Sequence, residues 1–272
     1  MNPDQFLAAL AGDGVLLMGV VNVTPDSFSD GGRYYEIDSA VAHGLRLVQE
    51  GADIVDVGGE STRPGASPVS VEEEIRRVLP VVRDLCSAGV AVSIDTRHAL
   101  VAEAAVTAGA CVVNDVSGLR DPAMRSVAAR HGVPAVAMHM PVADPAVMQQ
   151  HTEYVDVVGE VVAFLRDHAA LALAEGVPTV ILDPGIGFGK TVEQNVELVR
   201  RLDELVALGH PVLLGASRKR FIGVLTGVER AEDRVAGSVA VHLAGVQRGA
   251  RIIRAHDVAA HRQALTMWRH IG

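Results

Sequence analysis

The stretch Leu182-Asp183-Pro184-Gly185-Ile186-Gly187-Phe188-Gly189-Lys190-Thr191 follows a β-branched run at 179–181 and leads into a helical pattern from Thr191. Three glycines in five residues predict a tight turn between a strand and a helix. In α/β proteins, a polar side chain at a strand end, on a glycine-bent loop, lies where ligands bind. We therefore expect Asp183 to face a ligand.

Two phosphate-binding motifs do not fit this loop. A P-loop, which also ends in Gly-Lys-Thr, requires a glycine five residues before Gly189, and that residue is Pro184. The dinucleotide-binding fingerprint would place its third glycine at Lys190. The loop is thus expected to present Asp183 rather than to cradle a phosphate.

The same strand–turn–helix unit recurs along the chain. The apolar runs lack strict alternation, which is typical of parallel strands covered on both faces, and most helical stretches end at glycine. Eight units in about 250 residues favour an α/β fold of the (β/α)8 TIM barrel class over a doubly wound sheet. The predicted strands are 15–21, 53–57, 90–94, 111–113, 134–138, 179–182, 211–214 and 251–253. The predicted helices are 38–49, 71–87, 100–108, 122–130, 153–174, 192–208, 219–249 with a break near Gly227, and 258–270.

Composition limits the class of protein. The 272 residues are 49% hydrophobic and contain no Pro/Ser-rich linker, so we expect a single domain over 1–272. The net charge of −9 argues against a general binder of nucleic acid or of acidic membranes. Cys86 and Cys111 lack metal-type spacing and are expected to be buried free thiols. Residues 1–14 lack a signal-peptide pattern and the apolar runs are strand-length, so we expect a cytoplasmic protein without a membrane helix.

Polar residues stand at or next to the predicted strand ends. They are Asn22, Asp56, Asp95, Asn114, Asp183, Lys219, Arg254 and His256. A single strand-end Asp or Asn is often only a helix cap or a turn former, and Asp56, one residue inside its strand, is expected to be a buried structural carboxylate. Because the strand ends of a barrel converge on one mouth, the whole set favours a ligand site.

The types of these residues indicate what the ligand is. Asp95, Asn114 and Asp183 suit the donor edge of a planar, amide-rich ring. Lys219, Arg254 and His256, with Arg63 on a loop, suit an anion. The site is therefore interpreted as binding a polar heterocycle and a phosphate-like group. His139 is expected to line the wall rather than act as a base, and the histidines on helical stretches are expected at the surface: His151, His168, His261 and His270.

Seven segments, in order, resemble dihydropteroate synthase from about Met18 to Val258. They are 22–32, 56–65, 93–96, 114–118, 183–190, 215–220 and 254–258. The resemblance implies a barrel enzyme that joins 6-hydroxymethyl-7,8-dihydropterin diphosphate to p-aminobenzoate with release of diphosphate, in folate synthesis. It also implies Mg²⁺ as cofactor and a homodimer through the last helices, with 239–246 and Trp268 as candidate contacts.

The resemblance implies roles for individual residues. Asp95, Asp183, Lys219, Arg254 and His256 are implied to be catalytic. The pterin site is implied to contain Asp95, Asn114, Asp183 and Lys219, with Val116 and Phe188 as walls and Gly215 beside them. Asn22 is implied to contact Mg²⁺ beside the diphosphate, whose oxygens meet Arg254 and His256. Pro25, Phe28, Thr62, Arg63 and Pro64, with Ser217, are implied to form the p-aminobenzoate site, where sulfonamides would compete.

One segment departs from the family pattern, and three alternatives stay open. After His139-Met140 the family continues with a polar residue and a glycine, whereas this chain has Pro141-Val142-Ala143-Asp144-Pro145. A non-catalytic pterin-binding paralogue, a pterin-dependent methyltransferase module and an aldolase-type barrel with Lys219 as Schiff-base amine are the alternatives. The loops at 24–37 and 61–70 are longer than usual connections and are candidate lids.

Overall fold

The computed structural model of the protein describes residues 3–24, 32–61, 69–142 and 147–271. Within the two candidate lids, 25–31 and 62–68 lie outside these residues, as does 143–146 in the segment that departs from the family pattern. The predicted loop 24–37 is wrong over 32–37, which belong to a helix that begins at Gly32.

Eight parallel strands within the described residues form one sheet in the order β6-β5-β4-β3-β2-β1-β8-β7. The amide of Leu182 donates to the carbonyl of Pro211 at 2.9 Å, and Leu182 bridges Val212, which joins β6 to β7. The sheet therefore closes, and the predicted (β/α)8 barrel is confirmed. The strands are β1 Leu16–Asn22, β2 Ile54–Gly58, β3 Val92–Asp95, β4 Val112–Asp115, β5 Ala135–Met138, β6 Val180–Asp183, β7 Leu213–Leu214 and β8 Ile252–Ala255.

The helices surround the barrel and follow the predicted alternation. The predicted helix 192–208 is interrupted at Arg201, and the predicted helix 219–249 is broken at Gly227, whose left-handed φ of 72° closes its first part. The α-helices are α1 Pro3–Ala11, α2 Gly32–Gln49, α3 Val71–Ser87, α4 Ala99–Thr107, α5 Pro122–His131, α6 Val157–Ala174, α7 Val192–Arg200, α8 Leu202–Val206, α9 Arg220–Thr226, α10 Val235–Gln247 and α11 Val258–Ile271. No described helix is both long and apolar enough to span a bilayer.

The first helix, α1, was not predicted and covers the bottom of the barrel. Phe6 and Leu10 are buried and pack with inward-facing residues near the starts of the strands, among them Leu16, Ile54 and Ile181. Such a short helix depends on this packing rather than on its own propensity. Because α1 covers the end with the strand starts, the ligand mouth is left at the opposite end, where the strands finish.

Two predictions about side-chain burial have different outcomes. Both cysteines are free: Cys111 is buried as expected, and burial raises the pKa of its thiol to about 11, whereas Cys86 is only half-buried. The expectation that His261 lies at the surface is wrong, because His261 is only 2% exposed between α11 and the rest of the barrel. Of the other histidines expected at the surface, His151 and His270 are exposed and His168 is half-buried.

The glycine loop after β6 contains a position that only glycine fits. Gly185 has a φ of +68°, and a Cβ there would lie within 2 Å of the carbonyl oxygen of His139, at 1.9 Å. Gly132, after α5, has a similar φ of +64°, but no atom lies within 4 Å of its Cβ position. Comparing substitutions at these two glycines therefore separates the free-energy cost of a left-handed backbone from the cost of a steric clash.

We expect Gly132→Ala to lower the free energy of unfolding by about 1–2 kcal/mol, the cost of a left-handed alanine. Gly185→Ala bears the same cost plus the displacement of His139, so its loss should be clearly larger. Urea unfolding of both variants measures the difference. Equal losses of unfolding free energy in the two variants would show that the loop can shift to accommodate a side chain at Gly185 without further cost.

Candidate active site

The strand ends bring the predicted polar residues to one mouth. Asn22, Asp95, Asn114 and Asp183 are at or near the ends of β1, β3, β4 and β6, and Arg254 lies in β8. Lys219 is the residue before α9, and His256 follows β8 directly. Pro25, Phe28, Thr62, Arg63 and Pro64 lie outside the described residues.

Arg254 is held by carboxylates from two other strands. Its Nε donates to Asp56 Oδ2 at 2.7 Å, and its Nη2 donates to Asp95 Oδ2 at 2.7 Å. Asn114 Nδ2 also donates to Asp56 Oδ2, at 3.0 Å. Asp56 is fully buried, which confirms the expectation of a buried carboxylate. Because it sits two residues before the end of β2, the guanidinium is anchored beneath the mouth.

These contacts shift the pKa values of Arg254 and Asp95. Burial alone would lower the pKa of Arg254, but Asp56 and Asp95 raise it above its ordinary value. Burial raises the pKa of Asp95 to about 7; the Arg254 guanidinium opposes this rise and the Asp56 charge reinforces it. Asp95 therefore stands near its titration point at neutral pH, whereas Arg254 is a permanent cation.

Asp183 is fixed by the glycine loop that follows it. Its Oδ1 accepts a hydrogen bond from the Gly185 amide at 2.7 Å. Burial raises the pKa of Asp183, while the Gly185 amide and the nearby Lys219 lower it in part. The Cβ position of Gly215 lies 3.8 Å from Asp183 Oδ2, an ordinary contact distance. Gly215 thus borders this carboxylate.

Lys219 and Phe188 form one wall of the mouth. The Lys219 Nζ lies 4.1 Å from the centroid of the Phe188 ring, a cation–π distance. Burial and the charge of Arg254 lower the pKa of Lys219 to about 8, against the opposing charges of Asp183 and Asp95. Phe188 packs against a cluster that contains Val116, Met138 and Met140. The wall is therefore apolar, with one amine at its edge.

Ser217 and His256 contact each other between the turns after β7 and β8. The backbone amide of His256 donates to Ser217 Oγ at 3.1 Å, and His256 Nδ1 lies 3.1 Å from the same oxygen. In the tautomer with its proton on Nε2, Nδ1 accepts from the Ser217 hydroxyl and the Nε2–H is available to donate. Burial lowers the pKa of His256 to about 3, with Arg254 and Arg218 reinforcing the shift. His256 is thus a neutral donor in this state.

Sequence reasoning missed the part played by Lys190. Its Nζ donates to the carbonyls of Gly185 and Phe188, both at 3.0 Å, and lies 3.0 Å from His139 Nδ1. Burial lowers the pKa of Lys190 to about 7 and that of His139 to about 2. The lysine faces into its own loop and ties it to the end of β5. A lysine that ends a glycine-rich loop without a phosphate motif was the available signal for this contact.

A second group of charged residues lies behind the mouth. Glu60, Glu74 and His98 offer ligand atoms within 4.8 Å of one another. Arg97 pairs with both oxygens of Glu60, at 2.9 and 3.1 Å, and His98 Nδ1 lies 2.7 Å from Glu74. Because Arg97 already pairs with Glu60, these contacts favour an ion-pair network rather than a cation site. The network fixes the base of the 61–70 loop.

Comparison with known proteins agrees with this geometry. Residues 18–256 match the family model described as "Pterin binding enzyme". Dihydropteroate synthase from Neisseria meningitidis serogroup B is 47% identical over 264 residues, 94% of this chain and 92% of that protein. A probable bifunctional folylpolyglutamate synthase/dihydropteroate synthase from Haloferax volcanii is 47% identical over 248 residues, and the match covers 90% of this chain and 29% of that protein.

Solved structures of high similarity come from Thermus thermophilus. Its dihydropteroate synthase in complex with 4-aminobenzoate aligns with a TM-score of 0.88 at 56% identity, covering 96% of this chain and 95% of that one. The same enzyme in complex with 6HMPPP aligns with a TM-score of 0.85 at 54% identity, covering 95% and 94%. The chain therefore belongs to the pterin binding enzymes, and among them to the dihydropteroate synthase family.

We expect Asp95 to give the protein a stability component that depends on pH. An unfolded aspartate titrates near 3.8, and the folded Asp95 near 7. Because the folded value is raised, the stabilising effect of the bound proton is fully present below 3.8 and is lost as the pH rises through 7.

The Asp95→Asn variant cannot titrate at this position and should lack this component. Urea unfolding of both proteins at about pH 5 and pH 8 measures the difference in slope. An identical pH slope for wild type and variant would contradict the raised pKa of Asp95.

Proposed function

We propose that this chain condenses 6-hydroxymethyl-7,8-dihydropterin diphosphate with p-aminobenzoate to 7,8-dihydropteroate and diphosphate. The observation that carries the proposal is the convergence of Asp95, Asn114 and Asp183 beside the Lys219–Phe188 wall. Carboxylates and an amide next to an apolar wall suit a flat ring with several N–H donors. The family membership gives the identity of that ring.

The pterin would lie with its amide and amine edge toward Asp183 and Asn114. Asp183 Oδ1 already accepts from Gly185, so Oδ2, which lies beside Gly215, is the oxygen available to the ring. Asp95 would accept or donate according to its protonation, because its pKa lies near 7. Phe188 and Val116 would cover the ring faces.

The diphosphate and the arylamine would occupy the rim above the ring. Lys219, Arg254 and the Nε2–H of His256 provide two cations and one neutral donor for the diphosphate. Arg254 reaches it with the N–H groups that do not bond Asp56 and Asp95. The turn that carries Ser217, with the loop residues Pro25, Phe28, Thr62, Arg63 and Pro64, would hold p-aminobenzoate.

The chemistry then needs little proton transfer by the protein. The bond between the methylene carbon and the diphosphate oxygen breaks, its electron pair leaves with the diphosphate, and positive charge develops on the ring and its methylene. Asp95 and Asp183 offset this charge, and Lys219, Arg254 and His256 stabilise the leaving group. The arylamine nitrogen forms the new bond to the methylene, and its extra proton passes to diphosphate or solvent. The closely packed walls of the mouth would exclude water beside the reacting carbon.

The residues present fit Mg²⁺ only in combination with the diphosphate. The side-chain oxygen of Asn22, half-buried at the end of β1, is a single neutral ligand. Mg²⁺ commonly binds through few protein ligands together with substrate phosphates and waters. When bound, the ion would supply charge neutralisation at the diphosphate oxygens. Asn22 would orient that end of the substrate.

Assembly and location are also proposals. We propose a homodimer with contacts along 239–246 and at Trp268, in a protein that works in the cytoplasm without nucleic acid or membrane partners. The net charge of −9 supports the absence of nucleic acid and membrane partners, and the apolar residues of α10 support the dimer contact. Light scattering after gel filtration measures the mass, and a monomer at all concentrations would contradict the dimer.

The proposed function predicts diphosphate release that requires the pterin diphosphate, p-aminobenzoate and Mg²⁺ together. We expect Asp183→Asn to weaken pterin diphosphate binding about 10- to 100-fold, because hydrogen bonds to a charged group contribute about 1.5–3 kcal/mol. Calorimetric titration and a coupled diphosphate assay measure the two quantities. The matched control is Asp167→Asn, whose carboxylate is 67% exposed on α6, with wild-type values expected.

Each alternative gives a different outcome. Pterin binding without an arylamine-dependent product would support a non-catalytic paralogue. Methyl transfer from a methylated pterin would support the methyltransferase module. Labelling of Lys219 by borohydride with a carbonyl substrate would support an aldolase-type barrel.

We expect Mg²⁺ binding to depend on the diphosphate. Mg²⁺ should tighten binding of the pterin diphosphate by about tenfold or more, within the usual range of coupling between two ligands. Asn22→Ala should lose most of this increase, and the hydroxymethyl pterin without diphosphate should show none. Tight Mg²⁺ binding to the protein alone would instead require further protein ligands.

A further inference from the structure

Two buried histidines lie behind the turn that carries Ser217. His242 on α10 and His261 on α11 are 1% and 2% exposed, and His242 Nδ1 lies 2.8 Å from His261 Nε2. No step of the proposed reaction uses them. Burying two polar imidazoles side by side costs free energy, so we expect the pair to have a specific role.

The hydrogen bonds fix the protonation of both rings. The backbone amide of Ala216 donates to His242 Nε2 at 2.9 Å, so Nε2 is an acceptor. The proton of His242 is then on Nδ1, which donates to His261 Nε2. His261 in turn carries its proton on Nδ1 and donates to the carbonyl of Asp257 at 2.7 Å. Burial lowers the pKa of both histidines, so this neutral chain is the stable one.

The chain of bonds joins the two turns that would hold the two reactants. Ala216 belongs to the turn after β7, between Gly215 and Ser217. Asp257 belongs to the turn after β8, next to His256. The Asp257 carboxylate also receives two bonds from Arg218, at 2.9 and 2.5 Å. A direct contact between Ser217 Oγ and His256 joins the same two turns.

These bonds also hold a strained backbone. Arg218 has a φ of 59°, which is unusual for a residue other than glycine. Its amide donates to Ser238 Oγ of α10 at 2.9 Å, and Arg234 Nη1 donates to its carbonyl at 3.1 Å. The conformation that presents Ser217 and Lys219 therefore depends on partners from α10 and from the turn after β8.

We propose that His242 and His261 are positioning residues, a relay that holds the Gly215–Lys219 turn in fixed register with the His256–Asp257 turn. The inference rests on the proposed function, which assigns Ser217 of the first turn to p-aminobenzoate and His256 of the second turn to the diphosphate. The relay keeps the arylamine nitrogen in line with the carbon that loses diphosphate. Small displacements of such groups reduce rates strongly.

The first experiment needs no activity. In ¹⁵N-labelled wild-type protein, NMR spectra of the imidazole nitrogens should show a protonated Nδ1 and an unprotonated Nε2 on both His242 and His261. The Ala216 amide should exchange slowly with solvent, and His242→Phe should accelerate its exchange. A proton on His242 Nε2, or unchanged exchange of Ala216 in a folded His242→Phe, would overturn the relay.

The second experiment measures kinetics with matched variants. In His242→Phe and His261→Phe we expect the KM for p-aminobenzoate to rise about tenfold, with the KM for the pterin diphosphate changed far less. His242→Gln, whose amide can accept from Ala216 and donate to His261, should recover most of the loss. His270→Phe, an exposed position on α11, is the control and should match wild type. Equal rises in both KM values, or no recovery in His242→Gln, would overturn positioning through this turn.

The two experiments separate the relay from the proposed function. If wild type makes no arylamine-dependent product while the tautomers and the Ala216 exchange are as expected, the function fails and the relay stands. If product forms but the tautomers differ, the relay fails and the function stands. Should a phenylalanine variant not fold, the wild-type spectra still decide the hydrogen-bond chain.

Discussion

The ion pairs of Arg254 are the constraint on which the site depends. A half-buried guanidinium loses part of its hydration, and paired carboxylates offset this loss. Here Asp56 of β2 and Asp95 of β3 supply the pairing, while Arg254 comes from β8. Because β8, β1, β2 and β3 are neighbours in the sheet, the pairing forms only when the last strand has joined the first three in register. The correct fold and the charged site are therefore assembled together, and loss of one partner would leave an uncompensated buried charge.

The sequence predicted the elements that follow from local pattern and left out those that follow from tertiary contact. Strand ends such as Asp183 were identifiable because a β-branched run, a polar residue and glycines succeed one another. The burial of Asp56 was expected from its place inside a strand. Helix α1 and the burial of His261 were missed, since neither has a local signal and both depend on packing against distant residues. The roles of Pro25, Phe28, Thr62, Arg63 and Pro64 stay predictions, because they lie outside the described residues.

The glycine loop after β6 shows how a phosphate-like motif serves another purpose. In a P-loop the lysine extends toward the phosphates of the ligand. Here Lys190 folds back and donates to the carbonyls of Gly185 and Phe188, so the cation occupies the inside of its own loop. This stabilises the conformation in which the Gly185 amide bonds Asp183 and Phe188 faces Lys219. In the proposed function, the loop would thus recognise the ring by shape and by one carboxylate.

The balance of charge explains why a site with several histidines needs none as a strong base. Lys190 beside His139, and Arg254 and Arg218 beside His256, act with burial to keep both imidazoles neutral, with pKa values of about 2 and 3. A reaction in which positive charge develops on the ring would be slowed by further cations near that ring. In the proposed reaction, the fixed cations would instead act on the departing diphosphate, while the carboxylates of Asp95 and Asp183 would face the ring. Neutral histidines can donate or relay hydrogen bonds without adding charge, which is the property that the proposals require of His256 at the diphosphate and of His242 behind the turn.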